Sequence, residues 1–128
     1  MKSSNRRYSR DHQWAGKTDA GVRVGLTEFA QDELGEITFV QLPQIGMVVN
    51  QGDPVCAVDA LKAASELYAP VSGTIIAINN RLRDVDEYRL INDDPEDAGW
   101  IFELAVANDI EFEELLDADS YRAMITRT

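Results

Sequence analysis

Short runs of apolar, β-branched and aromatic residues alternate with turn residues along most of the chain. His12-Gln13-Trp14-Ala15 and Val22-Arg23-Val24-Gly25-Leu26 read as two short strands around a turn at Gly16–Gly21, where Gly21 offers the freedom for a positive φ. Thr27 is a good N-cap for a short helix across residues 28–34, which Gly35 ends. Ile37–Leu42 has β-branched and aromatic content and stops at Pro43. Gly46 and Gln51-Gly52-Asp53-Pro54 punctuate the next stretch. Val55–Val58, Leu67–Ala69 and Thr74–Ile78 are further strands, with a turn at Pro70–Gly73, and Gly99–Val106 is a late one. Residues 109–116 and 118–125 read as two short acidic helices, with Leu115, Leu116, Tyr121, Met124 and Ile125 as their buried stripe. The sum is a mainly β fold with short helices at residues 28–34 and at the C-terminus. Residues 1–7 are expected to be disordered.

The segment Asp59–Glu66 admits two readings. Its Ala, Leu, Lys and Glu favour a helix. It is only about eight residues long, however, and both flanks are strand-like, so an isolated helix there would be marginal. A β-hairpin with its tip near Lys62 fits better.

Length and composition narrow the class. With 128 residues, 45% of them hydrophobic, the chain makes one domain, 1–128, with a real core. The net charge of −11 argues against nucleic acid and anionic membrane surfaces, which need clustered positive charge. No apolar run is long enough to span a membrane, and no signal peptide is read at the N-terminus. Residues 1–83 hold 9 acidic and 9 basic side chains, whereas residues 84–128 hold 14 and 3. The plainer reading of that acidic third is a solvated face; the sharper one is a face that steers basic partner clefts. Cys56 is the single cysteine, which excludes an internal disulfide and fits a reducing, cytoplasmic compartment.

The chemistry is sparse. There is no phosphate loop, no GxSxG and no HExxH, and one histidine with one cysteine leaves no usual zinc site. His12 reads as structural, and Cys56, between Val55 and Ala57, as an inert packed thiol. Trp14 and Trp100 read as core anchors. No catalytic residue and no metal site is assigned, and the chain is not expected to be an enzyme. Lysine is scarce: Lys2, Lys17 and Lys62 are the three. A lysine at a hairpin tip, with Ala60, Ala63 and Ala64 leaving room around it, could be acylated into a flexible tether. From spacing alone an ordinary turn lysine remains the favoured reading.

The run Asp59-Ala60-Leu61-Lys62-Ala63-Ala64-Ser65-Glu66-Leu67-Tyr68-Ala69-Pro70-Val71-Ser72-Gly73 resembles the lipoylation site of the glycine cleavage system H protein family. His12-Gln13-Trp14 is similar to the family's H-E-W. Phe29-Ala30-Gln31-Asp32, Leu34-Gly35-Glu36, Phe39–Pro43, Leu90-Ile91-Asn92, Asp94-Pro95 and Gly99-Trp100 continue the likeness in order. The resemblance implies a lipoyl-domain barrel-sandwich hybrid of two small sheets, with lipoate carried covalently on Lys62. It implies Asp59, Gly46 and Gly73 as lipoylation-recognition positions, the two glycines shaping the hairpin that a lipoate ligase or lipoyl transferase grips. Gly73→Val is expected to damage the turn if Gly73 takes a positive φ. The arm's dithiolane would work by thiol–disulfide exchange and S-alkylation. Its partners would be a pyridoxal-phosphate glycine decarboxylase, an aminomethyltransferase and a dihydrolipoyl dehydrogenase.

Three positions implied to line an arm cleft are Gln13, Glu33 and Glu66. Gln13 stands where the family has glutamate, and keeps a carbonyl while losing the charge that would pair with an ammonium. Glu33 stands where the family has histidine, and Asp59-Ala60-Leu61 replaces Glu-Ser-Val. The chain is then open to three readings: an aminomethyl carrier for glycine cleavage; an H-like lipoate-binding protein carrying sulfur intermediates for a heterodisulfide-reductase-like complex; and an interaction module without lipoate.

Overall fold

The computed structural model describes residues 5–126. In chain order these form β1 (Arg6–Tyr8), β2 (Gln13–Lys17), β3 (Val22–Leu26), α1 (Glu28–Leu34), β4 (Ile37–Gln41), β5 (Val48–Val49), β6 (Pro54–Ala60), β7 (Ala64–Tyr68) and β8 (Gly73–Ile78). Two 3₁₀ turns (Asn80–Arg83 and Val85–Glu87), α2 (Arg89–Asp93), β9 (Phe102–Val106), α3 (Asp109–Glu113) and α4 (Ala118–Thr126) complete the chain. One sheet has the order β1-β2-β3-β9-β8-β5 and the other β4-β6-β7. Every pairing among the described strands is antiparallel. The core lies between the sheets: Val24, Leu26, Ile75, Phe102 and Leu104 from the larger meet Val58 and Leu67 from the smaller, all almost fully buried.

α1 forms where its end signals place it. Thr27 Oγ1 accepts from the Ala30 amide at 3.2 Å, and Gly35, at φ 79°, donates its N–H to Gln31 O at 2.9 Å. The 59–66 segment is a hairpin, with β6 and β7 in register from Asp59↔Ala64 to Ala57↔Glu66. The short-helix reading fails because each half already has a ladder partner.

Four expectations need correction. Residues 5–7 are ordered, and Arg6–Tyr8 is an edge strand pairing with β2; residues 1–4 lie outside the described residues. β1 has no apolar alternation to advertise it. It is held by its backbone and by the Arg6 guanidinium, 4.3 Å from the centre of the Trp14 ring. Tyr8 and Leu116 also exchange backbone hydrogen bonds of 2.8 and 2.9 Å. Second, neither Gly21 nor Gly73 has a positive φ; the glycines that do are Gly35, Gly46 and Gly52. At Gly73 a Cβ would run into the Ala105 carbonyl, and at Gly21 into that of Leu104, so these positions stay bare to let β9 approach. Third, the terminal-helix stripe misses Phe112, which is 2% exposed, while Leu115, Leu116, Met124 and Ile125 are only half-buried. Fourth, Trp14 is a core anchor at 3% exposure, but Trp100 is half-buried beneath Arg23, 4.1 Å from its ring centre.

Candidate functional site

Ala60 donates its amide to Ala63 O at 2.9 Å, which closes the hairpin around Leu61 and Lys62. Both apex residues are exposed. The apex does not hang free, however. The Leu61 amide donates to Glu36 O at 3.0 Å and the Lys62 amide to Leu34 O at 3.1 Å, so the turn rests on the stretch of chain leaving α1. The Lys62 stem crosses Gly35, and its Nζ donates to Asp32 O at 3.4 Å. α1 has no basic residue in its own last turn, so this ammonium supplies the cation that favours a helix C-terminus.

Gly35 is required here twice. Its φ of 79° and ψ of −154° lie in a region essentially reserved for glycine. A Cβ would also stand 3.3 Å from Lys62 Cε, tight against the stem. The sequence marks Gly35 only as a helix end; its second role, as the floor under Lys62, depends on a contact between distant segments.

The other implied site residues fall into separate groups. Asp59 is exposed on β6, opposite Phe39 on one side and Ala64 on the other. Gly46 (φ 95°) donates its amide to Ile75 O at 2.7 Å, and Gly73 pairs with Val49 and Val106. Both glycines therefore shape the β5–β8 edge of the larger sheet, not the β6–β7 hairpin.

Gln13 does not face an open cleft. It is 1% exposed, and its amide is spent on the backbone of one residue: Nε2 donates to Tyr68 O at 2.7 Å, and Oε1 accepts from Tyr68 N at 2.8 Å. The pair clips the end of β7 to β2. Glu66 is exposed and accepts from the Tyr68 hydroxyl at 3.2 Å. That hydrogen bond, with the carboxylate charges of Glu66 and Asp11, raises the Tyr68 phenol above its ordinary pKa. Tyr68 thus joins Gln13 and Glu66, a link that sequence spacing does not reveal. Glu33 is exposed on α1, next to the Asp32 whose carbonyl receives Lys62.

His12 and Cys56 fill structural roles. His12 has a φ of 65°, bonds Tyr121 Oη through Nδ1 at 2.9 Å and lies 4.7 Å from the Phe29 ring centre. Burial pushes the Cys56 thiol up to about 12, so it holds its proton and is a poor nucleophile. Among the described residues no group of three His, Cys, Asp or Glu side chains could hold a metal ion, and no helix is long and apolar enough to cross a membrane.

Comparison with known proteins matches residues 6–128 to the family described as glycine cleavage H-protein. The glycine cleavage system H protein of Oceanobacillus iheyensis is 45% identical over 118 residues, covering 92% of each chain. The probable glycine cleavage system H protein of Natronomonas pharaonis is 47% identical over 122 residues, covering 95% of this chain and 94% of the other. The crystal structure of the Mycobacterium marinum glycine cleavage system H protein superposes with a TM-score of 0.82 at 35% identity, over 95% of this chain and 97% of that one. The two-sheet architecture is thus the lipoyl-domain barrel-sandwich. The sulfur-carrying alternative finds no support among these relatives. A fold shared nearly end to end and identities well above 30% lead to one conclusion: this chain belongs to the glycine cleavage H-protein family.

Proposed function

We propose that this protein is the lipoyl carrier of a glycine cleavage system, with lipoate joined to Lys62 Nζ. The observation that carries the reading is the placement of Lys62: an exposed lysine at a hairpin apex whose backbone is fixed on both sides. Its deprotonated amine attacks the carboxyl carbon of an activated lipoic acid; the N–C bond forms, the activating group leaves, and the nitrogen sheds a proton. Lipoate supplies a dithiolane that exchanges with thiols and carries a one-carbon amine. The chain's own part is presentation. The 34–36 segment fixes the base of the arm, and Asp59 offers a carboxylate on the strand leading to it.

The partners we infer are a lipoate ligase or lipoyl transferase, a pyridoxal-phosphate glycine decarboxylase, an aminomethyltransferase and a dihydrolipoyl dehydrogenase. We place the carrier in the cytoplasm, where a lone buried cysteine is at home. The reading is tested by incubating the protein with lipoate, ATP and a ligase. Intact mass and peptide mapping should then find one lipoyl group, on Lys62. The lipoylated protein should support glycine decarboxylase-dependent exchange of bicarbonate with the glycine carboxyl. An unmodified Lys62 would favour an interaction module, and a dead exchange despite full lipoylation would exclude the glycine cargo.

A further inference from the structure

The 34–37 segment that carries the apex is itself held from behind. Its backbone groups are taken from two sides. Leu34 O and Glu36 O face the hairpin and accept from Lys62 and Leu61. Gly35 O and Ile37 N are taken by one side chain on α2, Asn92. Its Nδ2 donates to Gly35 O at 2.8 Å, and its Oδ1 accepts from Ile37 N at 3.0 Å. A carboxamide that donates and accepts in this way stands in for one rung of a β-ladder. The segment is therefore held by the modification hairpin on one side and by Asn92 on the other.

That support is needed because the regular ladder falters here. The β4–β6 register shifts between Ile37 and Phe39, and Gly35 adds a residue with the widest backbone freedom. Without Asn92, Gly35 O and Ile37 N lose the side chain that spans them. We infer that Asn92 is a positioning residue for the modification site: it fixes the 34–37 ledge, and through the ledge the apex that presents Lys62. This rests on the lipoyl-carrier reading of Lys62.

The consequence is a conformational one. A modifying enzyme that grips the ordered apex binds the fraction of molecules that have it, so loosening the ledge raises the apparent KM and leaves kcat nearly unchanged. The experiment compares wild type, Asn92→Ala and a core variant, Val24→Ala, chosen for a similar loss of Tm far along the larger sheet. Two measurements are made on each: ligase kinetics with lipoate and ATP, and amide hydrogen exchange at Leu61 and Lys62 by NMR. For Asn92→Ala the KM for the carrier should rise about tenfold at unchanged kcat, which needs the ordered fraction to fall to about one tenth, so exchange at both apex amides should approach the unprotected rate. Val24→Ala should change neither. Equal effects in the two variants, or a fall confined to kcat, would overturn the inference. If wild type is not lipoylated at all, the carrier reading falls. The exchange data then still decide whether Asn92 orders the apex, and unchanged apex exchange in Asn92→Ala would overturn that as well.

Discussion

Lys62 puts one positive charge on a turn while its stem lies along Gly35. Lys62→Arg should therefore keep the fold, with stability within about 0.5 kcal/mol of wild type, because an exposed cation is retained. It should abolish lipoylation, since a guanidinium stays protonated and is a poor acyl acceptor; intact mass reads the outcome directly. Gln13 leads to a less obvious expectation. The family's glutamate at this position suggests that Gln13→Glu would restore a lost charge. The structure makes the opposite case for this chain, because Tyr68 O needs a donor and a carboxylate has none. Gln13→Glu should cost about 2 kcal/mol near neutral pH. Burial beside a carbonyl raises the folded-state pKa of that carboxyl, so the loss is absent below the unfolded carboxylate value and grows as pH rises from there toward the raised one. Thermal melts from about pH 4 to 8 should show the gap to wild type widening with pH. The place of Lys62 at a hairpin tip was legible in the sequence. The partners of the site residues were not: Gln13 meets Tyr68 only because β2 and β7 close over the core.

Elements were legible where one physical signal decided them. Thr27 and Gly35 bracket α1, and alternation with β-branching marks β3, β4 and β8. The stretch from Asn80 to Asp93 carries no such signal. Its two 3₁₀ turns are started by the side chains of Asn79 and Asp84 accepting from Arg81 N and Asp86 N, and the fully buried Leu82 and Ile91 anchor it. Such short turns depend on tertiary docking. Glycine was legible as punctuation but not in its cause. Gly73→Ala should destabilise by about 1–3 kcal/mol through collision with the Ala105 carbonyl, not through backbone strain, and chemical denaturation measures it. At α4, Asp117 Oδ1 accepts from Ser120 N at 2.8 Å. That bond holds the Asp117 carboxyl below its usual range, so the cap is present above the ordinary carboxylate value and lost as pH falls through the lowered one. Asp117→Ala should lower the Tm at neutral pH, and the gap to wild type should close in acid.

For the whole molecule, two protonation effects are measurable. Acylating Lys62 takes the formal net charge from −11 to −12, one unit, so modified and unmodified protein should separate on anion exchange. At the alkaline end, burial raises Cys56 to about 12 and also raises Tyr8 and Tyr121. An unfolded cysteine ionises near about 8.5. Stability held below that value should therefore drain away as pH climbs toward 12, and Cys56→Ala should flatten part of the decline.

The nitrogen we propose for acylation is also the cation that closes α1. While the amine is bare, it is moored to the Asp32 carbonyl; once turned into an amide it keeps a single N–H and no charge. On that proposal, loading the protein unmoors the swinging arm in the same stroke that creates it. The last turn of a seven-residue helix would then report whether the carrier is charged with its prosthetic group.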